Sequence, residues 1–185
     1  DAINKEFGIT TGGFSNFPCN KEYLNENRSV LYVAPYIRTG NHEFSVGLLY
    51  PLATHALYNG EYTINGRPGA TAGYKFYVFN VYGRENLFIH YSFQYLRYKG
   101  IFPETTPPGF LSYGWSETET NTYINNVIGL GYNLFLDANE RYGFFYILDY
   151  VITQGSYRRD LPGSNTTTWT TDYAWNFLST HIGLS

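Results

Sequence analysis

Residues 89–95 read Ile-His-Tyr-Ser-Phe-Gln-Tyr, so apolar and polar side chains alternate at every position. Successive side chains of a β-strand point to opposite faces, and this stretch therefore predicts a strand with one apolar face and one polar face. The chain repeats this alternation in about eight segments, and the connectors between them are alternately short and long. This rhythm is typical of a transmembrane β-barrel, which has tight turns at one rim and long loops at the other.

The alternation predicts strands that reach about 9–11 residues, the span of a tilted membrane strand rather than the ~5–6 residues of a typical soluble one. The predicted strands are 7–13, 30–38, 43–52, 70–79, 87–98, 123–136, 142–153 and 173–184. The expected short turns are 39–41, 80–86 and 137–141, and the expected long loops are 15–28, 53–69, 99–120 and 154–171. Pro35 has no backbone N–H to donate to a ladder, so a bulge or local break is expected there. No segment has sustained helical periodicity, and no helix is expected.

The composition fits a membrane barrel made of a single domain, residues 1–185. Hydrophobic residues make up 43% of the chain and charged residues only 15%, below the ~25% usual in soluble domains. Aromatic residues reach 20%, with 20 Tyr and 14 Phe, and Tyr suits a membrane–water boundary because its ring is apolar and its hydroxyl is polar. No apolar run approaches the ~20 residues of a membrane helix. A membrane protein with this sequence must therefore be a closed barrel.

Three further features of the sequence indicate how the chain is processed, whether it can form a disulfide and which partners it can bind. The chain has no Met and starts at Asp1, so we expect that a secretory signal peptide has been removed. Cys19 is the only cysteine, which leaves no internal disulfide and favours an incidental loop cysteine. The net charge is −3 with no basic run, and nucleic acid is not an expected partner.

The alternation does not say which face points outward, but the width of the barrel does. Eight strands leave an interior just wide enough for side chains to fill. The bulky rows of strands 43–52 and 87–98 would crowd that interior, whereas the glycine-rich rows of 7–13 and 123–136 suit it. We therefore predict an all-β, eight-stranded, antiparallel up-and-down barrel with its aromatic face in lipid. A soluble barrel, with an apolar interior and a polar exterior, is the alternative.

In this orientation the interior holds a network of polar side chains. Its predicted members are Arg38, Lys75, His90, Gln94, Asn133 and Asp149. Buried charges need partners, so Asp149 is expected to pair with Lys75 or Arg38. The favoured interpretation of this network is a satisfied polar plug rather than a channel or a catalytic group.

Two glycine-rich and tyrosine-rich motifs carry a family resemblance, Gly73-Tyr74-Lys75-Phe76-Tyr77 and Gly129-Leu130-Gly131-Tyr132. Through them the chain resembles the small eight-stranded outer-membrane barrels of Gram-negative bacteria, and its tyrosine content is similar to that of Bacteroidetes outer-membrane β-barrel domains. The resemblance implies an outer-membrane location, periplasmic termini and short turns, extracellular long loops, and contact with outer-membrane lipids and lipopolysaccharide. In one respect the chain departs from the family, because such barrels usually end in an aromatic residue and this sequence ends Ile182-Gly183-Leu184-Ser185.

His90 and Ser92 form the sharpest catalytic candidate, since alternation places them on one face within reach of each other. With Glu104 they look like the His-x-Ser…Glu arrangement of outer-membrane lipid A deacylases. Three departures weaken this likeness. Phe93 stands where the deacylase pattern has Asn, the predicted register puts His90 and Ser92 in the lumen, and the motif lies far from the C-terminus. The histidines show no tight metal spacing, and neither a metal nor a cofactor is expected.

The leading functional hypothesis is a non-catalytic barrel that serves as a structural or accessory subunit of a larger outer-membrane protein complex. It would act through its lipid-facing wall and its loops, around Cys19, Asn59, Pro107 and Arg158, with other outer-membrane proteins as partners. The alternatives are a lipid A-modifying hydrolase that uses His90 and Ser92, a small pore or ligand-binding barrel, and a soluble secreted barrel.

Overall fold

All the regular structure that the computed structural model describes is β-strand. The described residues are 5–18, 28–52, 54–57, 61–81, 84–102, 117–136, 142–160 and 169–184. The strands are β1 (Lys5–Pro18), β2 (Arg28–Thr39), β3 (His42–Pro51), β4 (Thr54–Leu57), β5 (Glu61–Val81), β6 (Arg84–Phe102), β7 (Glu117–Phe135), β8 (Gly143–Asp160) and β9 (Trp169–Leu184). Within these ranges no helix is long and apolar enough to cross a membrane.

Eight long strands close into an antiparallel barrel, as the sequence predicts. Neighbouring strands pair in chain order, and the pairing of β1 with β9 and of β3 with β5 completes the circle. The short strand β4 pairs only with the first residues of β5, where Thr54 lies opposite Ile64. It therefore lies beyond the end of β3 along the same edge of β5 and does not form a ninth strand of the barrel wall.

The predicted turn at 39–41 is confirmed. Thr39 pairs with His42, so Gly40 and Asn41 alone form the loop between β2 and β3. Gly40 has a φ of 57°, a left-handed conformation that glycine adopts without a Cβ clash. The side-chain amide of Asn41 donates to the Tyr77 carbonyl at 3.1 Å and ties this turn to β5.

The predicted long loops are wrong in extent, because the strands continue well into them. β5 begins at Glu61, β6 continues to Phe102, β7 begins at Glu117, β8 continues to Asp160 and β9 begins at Trp169. Residues 117–122 show the reason, since they read Glu-Thr-Glu-Thr-Asn-Thr and are polar on both faces. The hydrogen bonds between strands are made by the backbone and need no apolar side chain. The alternation of apolar and polar residues therefore ends at the edge of the apolar exterior, although the strand itself continues.

Two proline positions mark irregularities in the sheet. Asn65-Gly66 and Pro68-Gly69 were expected in a loop, yet they lie within β5, where a register shift against β6 falls between Arg67 and Ala70. A bulge of this kind accommodates a proline, which cannot donate to the ladder. At Pro35 the β2–β3 ladder is interrupted between Val33 and Tyr36 without a change of register, which confirms the local break predicted there.

The exterior of the barrel is apolar, as the argument from barrel width predicts. The outward rows of the strands carry large exposed hydrophobic side chains, which include Ile9, Val33, Phe44, Val46, Leu48, Ile89, Phe93, Ile128, Leu130, Leu148, Tyr150 and Ile182. We call this surface the apolar belt. The barrel is therefore apolar outside and polar over part of its inside.

The interior has three layers. A turn-side cluster packs near the short turns and consists of Tyr77, Phe88, Phe145 and Ile147. A loop-side cluster packs near the other rim and consists of Phe14, Val30, Leu49, Leu96, Tyr98 and Tyr123. The inner row of β6 passes from Phe88 through His90, Ser92 and Gln94 to Leu96, so a polar layer lies between the two clusters.

Candidate functional site

Asp149 is the centre of the polar layer and is 1% exposed. Its Oδ1 lies 3.1 Å from His90 Nδ1, and its Oδ2 lies 2.9 Å from His181 Nε2. The rings of His90 and His181 meet edge to face with 5.8 Å between their centroids. The His181 ring stacks on the Phe14 ring with 4.6 Å between centroids. The carboxylate is thus held between two imidazoles that contact it from different strands.

Gly129 makes the contact between Asp149 and His90 possible. Asp149 on β8 lies opposite Gly129 on β7, which lies opposite His90 on β6. A Cβ at Gly129 would stand 1.9 Å from Asp149 Oδ1 and 2.3 Å from the Leu148 carbonyl oxygen. Because glycine leaves this space empty, the carboxylate of Asp149 extends across β7 and contacts His90 on β6.

A second polar group forms around Glu43, nearer the short turns. Glu43 on β3 lies directly opposite Lys75 on β5, and Lys75 Nζ is 2.7 Å from Glu43 Oε1. The Tyr77 hydroxyl donates to Glu43 Oε2 at 2.8 Å and accepts from Asn133 Nδ2 at 3.1 Å. The Lys75 ammonium also lies over the Phe88 and Phe145 rings, at 5.1 and 5.3 Å from their centroids.

A third group lies below the loop-side cluster. Asn125 Nδ2 donates to Gln94 Oε1 at 3.2 Å, and Thr153 Oγ1 donates to Asn125 Oδ1 at 2.9 Å. All three side chains are buried. These two hydrogen bonds involve the side-chain amides of two neighbouring strands and no charged group.

A small cavity lies in the polar layer, with a volume of about 40 Å³ and Lys75, His90, Ser92 and His181 among its lining residues. Thr10 and Ser92 also line this cavity, and their hydroxyls have no protein hydrogen-bond partner. A water needs roughly 10–15 Å³ of such space, so the cavity has room for a few water molecules that would satisfy these hydroxyls.

The structure brings five of the predicted lumen residues into the polar interior: Lys75, His90, Gln94, Asn133 and Asp149 are all buried. Arg38 lies at the turn-side rim, where its guanidinium stands 4.1 Å from the centre of the Tyr77 ring and its Nε donates to the Gly40 carbonyl. The expected pairing of Asp149 with Lys75 or Arg38 is wrong. Lys75 pairs with Glu43, and Asp149 lies between the two histidines.

Sequence reasoning left Glu43 and His181 out of the polar network. Alternation marks both as members of inward rows, since Phe44 and Ile182 point outward beside them. Alternation identifies the face but not the height of a residue along the barrel. The register between strands decides which inward side chains meet, and the sequence does not show that register.

His90 and Ser92 are not hydrogen-bonded to each other. Both side chains are buried in the interior. His90 directs Nδ1 to Asp149, and the Ser92 hydroxyl has no protein hydrogen-bond partner. Glu104 lies outside the described residues, as do Cys19, Asn59 and Pro107. Arg158 lies in β8, where its backbone pairs with Thr120.

Among the described side chains, no group of three or more His, Cys, Asp or Glu residues is arranged to hold a metal ion. Comparisons of the chain with protein families, with curated proteins and with solved structures found no match.

Proposed function

We propose that this chain is an integral outer-membrane β-barrel without catalytic activity, which serves as a structural or accessory subunit of a larger outer-membrane protein complex. It would act through its lipid-facing wall and its extracellular loops. The observation that carries the membrane part of this proposal is the apolar belt.

The height of the belt matches the apolar core of a bilayer. The outward row that begins at Tyr142, just before β8, and ends at Ile152 is exposed and apolar or aromatic throughout. At ~3.3 Å per residue this row is about 33 Å long, which becomes about 25 Å along the barrel axis at the ~40° tilt of barrel strands. Outer-membrane barrels carry an outward apolar band about 25 Å tall.

Tyrosines border the belt, as expected for a protein at two membrane–water interfaces. Tyr142 is exposed at the turn-side end of the outward row that contains Leu148. Tyr50 and Tyr95 lie on the outer face toward the other rim. Aromatic side chains with a polar tip concentrate at the headgroup level of membranes. A contiguous apolar surface of this size is also far larger than soluble monomers expose.

The filled interior supports a role without transport or catalysis. The turn-side cluster and the loop-side cluster close the barrel above and below the polar layer. The polar side chains between them mostly bond to one another, which is the pattern of a packed core. With the interior occupied, the outer wall and the loops are the surfaces left for contact with other proteins.

Two measurements test the proposal. The chain should partition into the detergent phase of a two-phase extraction and should show heat-dependent mobility in gels, as closed membrane barrels do. Gentle solubilisation from native membranes should then recover it with other outer-membrane proteins. Recovery in the aqueous phase would refute the membrane assignment, and recovery only as a monomer would refute the subunit role.

A further inference from the structure

Two arginines face each other on the outer surface, just beyond the loop-side edge of the apolar belt. Arg67 on β5 pairs directly with Arg97 on β6, and both side chains are exposed. Directly opposed residues of neighbouring strands share a face, with Cβ atoms about 5 Å apart. Lys99 follows two residues after Arg97 on the same face. The result is a cluster of three cations, which we call the basic cluster.

The described residues that lie directly opposite Arg97 and Lys99 include no carboxylate. Arg97 lies opposite Arg67 and Thr122, and Lys99 lies opposite Asn65 and Thr120. No ion pair joins Arg67 or Arg97 to a carboxylate among the side chains that the structure describes. Like charges placed directly opposite each other destabilise a sheet. An external anion between the two guanidinium groups would turn this repulsion into attraction.

An apolar trough leads away from the basic cluster along β5. Its floor is formed by Ala70 and Ala72, which are exposed and too short to fill the outer row. Tyr95 and Phe93 lie opposite them on β6 and form one bank. Leu48 and Val46 lie opposite them on β3 and form the other bank. From Ala70 to the larger Tyr74 the trough extends about 13 Å at ~3.3 Å per residue.

We propose that Arg67 and Arg97 bind the phosphate of an anionic membrane lipid, with one acyl chain of that lipid in the trough over Ala70 and Ala72. The planar guanidinium group matches a phosphate in two-point hydrogen bonding. The basic cluster lies where the belt ends, which is the level of lipid headgroups. The trough then begins at the depth where the acyl chain starts. This inference rests on the proposed membrane location.

The test uses the full chain and phosphatidylglycerol, which carries one phosphate and no cation, with phosphatidylcholine as the zwitterionic comparison. Native mass spectrometry of the folded barrel should show that phosphatidylglycerol is retained in preference to phosphatidylcholine. The double variant Arg67→Gln/Arg97→Gln should lower the apparent affinity for phosphatidylglycerol about tenfold or more, the loss expected from hydrogen bonds to a charged group. Its affinity for phosphatidylcholine should stay unchanged.

Lys5→Gln is the matched control for Arg97→Gln, because each removes one positive charge from an exposed side chain and they lie at opposite rims. Equal losses in the two variants would mean nonspecific charge attraction and would overturn the site. Inorganic phosphate is the second control. If it displaced phosphatidylglycerol readily, the cluster would be a site for free anions and not for a lipid.

A stability measurement keeps the proposal testable if the double variant folds poorly. In a nonionic detergent Arg97→Gln should raise the urea midpoint, because it removes the repulsion from Arg67. In phosphatidylglycerol vesicles the same substitution should lower the midpoint, because it removes a lipid contact. The same sign in both media would refute the lipid site. A wild-type chain that fails to enter vesicles at all would instead refute the proposed membrane location.

Discussion

Lys75 and Glu43 form an ion pair inside the barrel, with 2.7 Å between Nζ and Oε1 and almost no exposure of either side chain. They are direct cross-strand partners on β5 and β3, so the pair also spans one of the two junctions that close the barrel. The Tyr77 hydroxyl gives Glu43 a second partner. A buried carboxylate with these contacts depends on each of them.

The first prediction concerns this pair. Lys75→Met should lower the free energy of unfolding by about 3–5 kcal/mol, because it removes the ion-pair partner of a buried carboxylate. Adding Glu43→Gln should recover much of that loss, since the amide is neutral and still accepts from Tyr77. Urea unfolding of the two single variants and the double variant measures the coupling. Additive losses would show that the ion pair contributes nothing.

The second prediction concerns the space above Gly129. Gly129→Ala should destabilise the barrel by about 1–3 kcal/mol or more, as overpacking does, because the new methyl group would meet both Asp149 Oδ1 and the Leu148 carbonyl. Gly13→Ala is the matched control, since a Cβ there meets its nearest atom at 3.4 Å. Urea midpoints compare the two variants. Equal midpoints would mean that Asp149 does not reach over Gly129.

The third prediction uses the depth of the apolar belt. Leu148 lies at the middle of the outward row of β8, whereas Leu136 lies at the turn-side edge, and both are exposed. Lysine at the middle of a bilayer costs about 2–4 kcal/mol and at the interface about 0–1 kcal/mol. Leu148→Lys should therefore destabilise the barrel in vesicles far more than Leu136→Lys. Refolding yield and urea midpoint measure the difference, and equal effects would count against a bilayer around the belt.

The fourth prediction separates packing from catalysis at Ser92. The Ser92 hydroxyl is buried without a protein partner, so Ser92→Ala should change the free energy of unfolding by no more than about 1 kcal/mol. Purified barrel incubated with lipid A should release no fatty acid, with or without the substitution. Release of fatty acid that Ser92→Ala abolishes would instead support the hydrolase alternative.

The sequence predicts the strands and their faces well, because alternation records which side chains point inward. Asp149 is inward and Leu148 outward, as the pattern of that strand requires. Alternation carries no information on the height of a residue along the barrel. It therefore predicts that Asp149 pairs with Lys75 or Arg38, whereas the register sets Lys75 opposite Glu43 and brings Asp149 to the histidines across Gly129. The strand ends were also missed, because polar segments such as 117–122 pair as strands without an apolar face.

The accessibility of a nitroxide label at position 148 shows whether the apolar belt lies in lipid. The label would be attached to Leu148→Cys in a Cys19→Ser background, with Lys5→Cys as the rim control, after refolding into vesicles. At position 148 the label should collide often with oxygen, which concentrates in lipid, and rarely with a water-soluble nickel chelate, and the label at position 5 should show the opposite. Frequent collision with the nickel chelate at position 148 would mean that the belt faces water and not lipid.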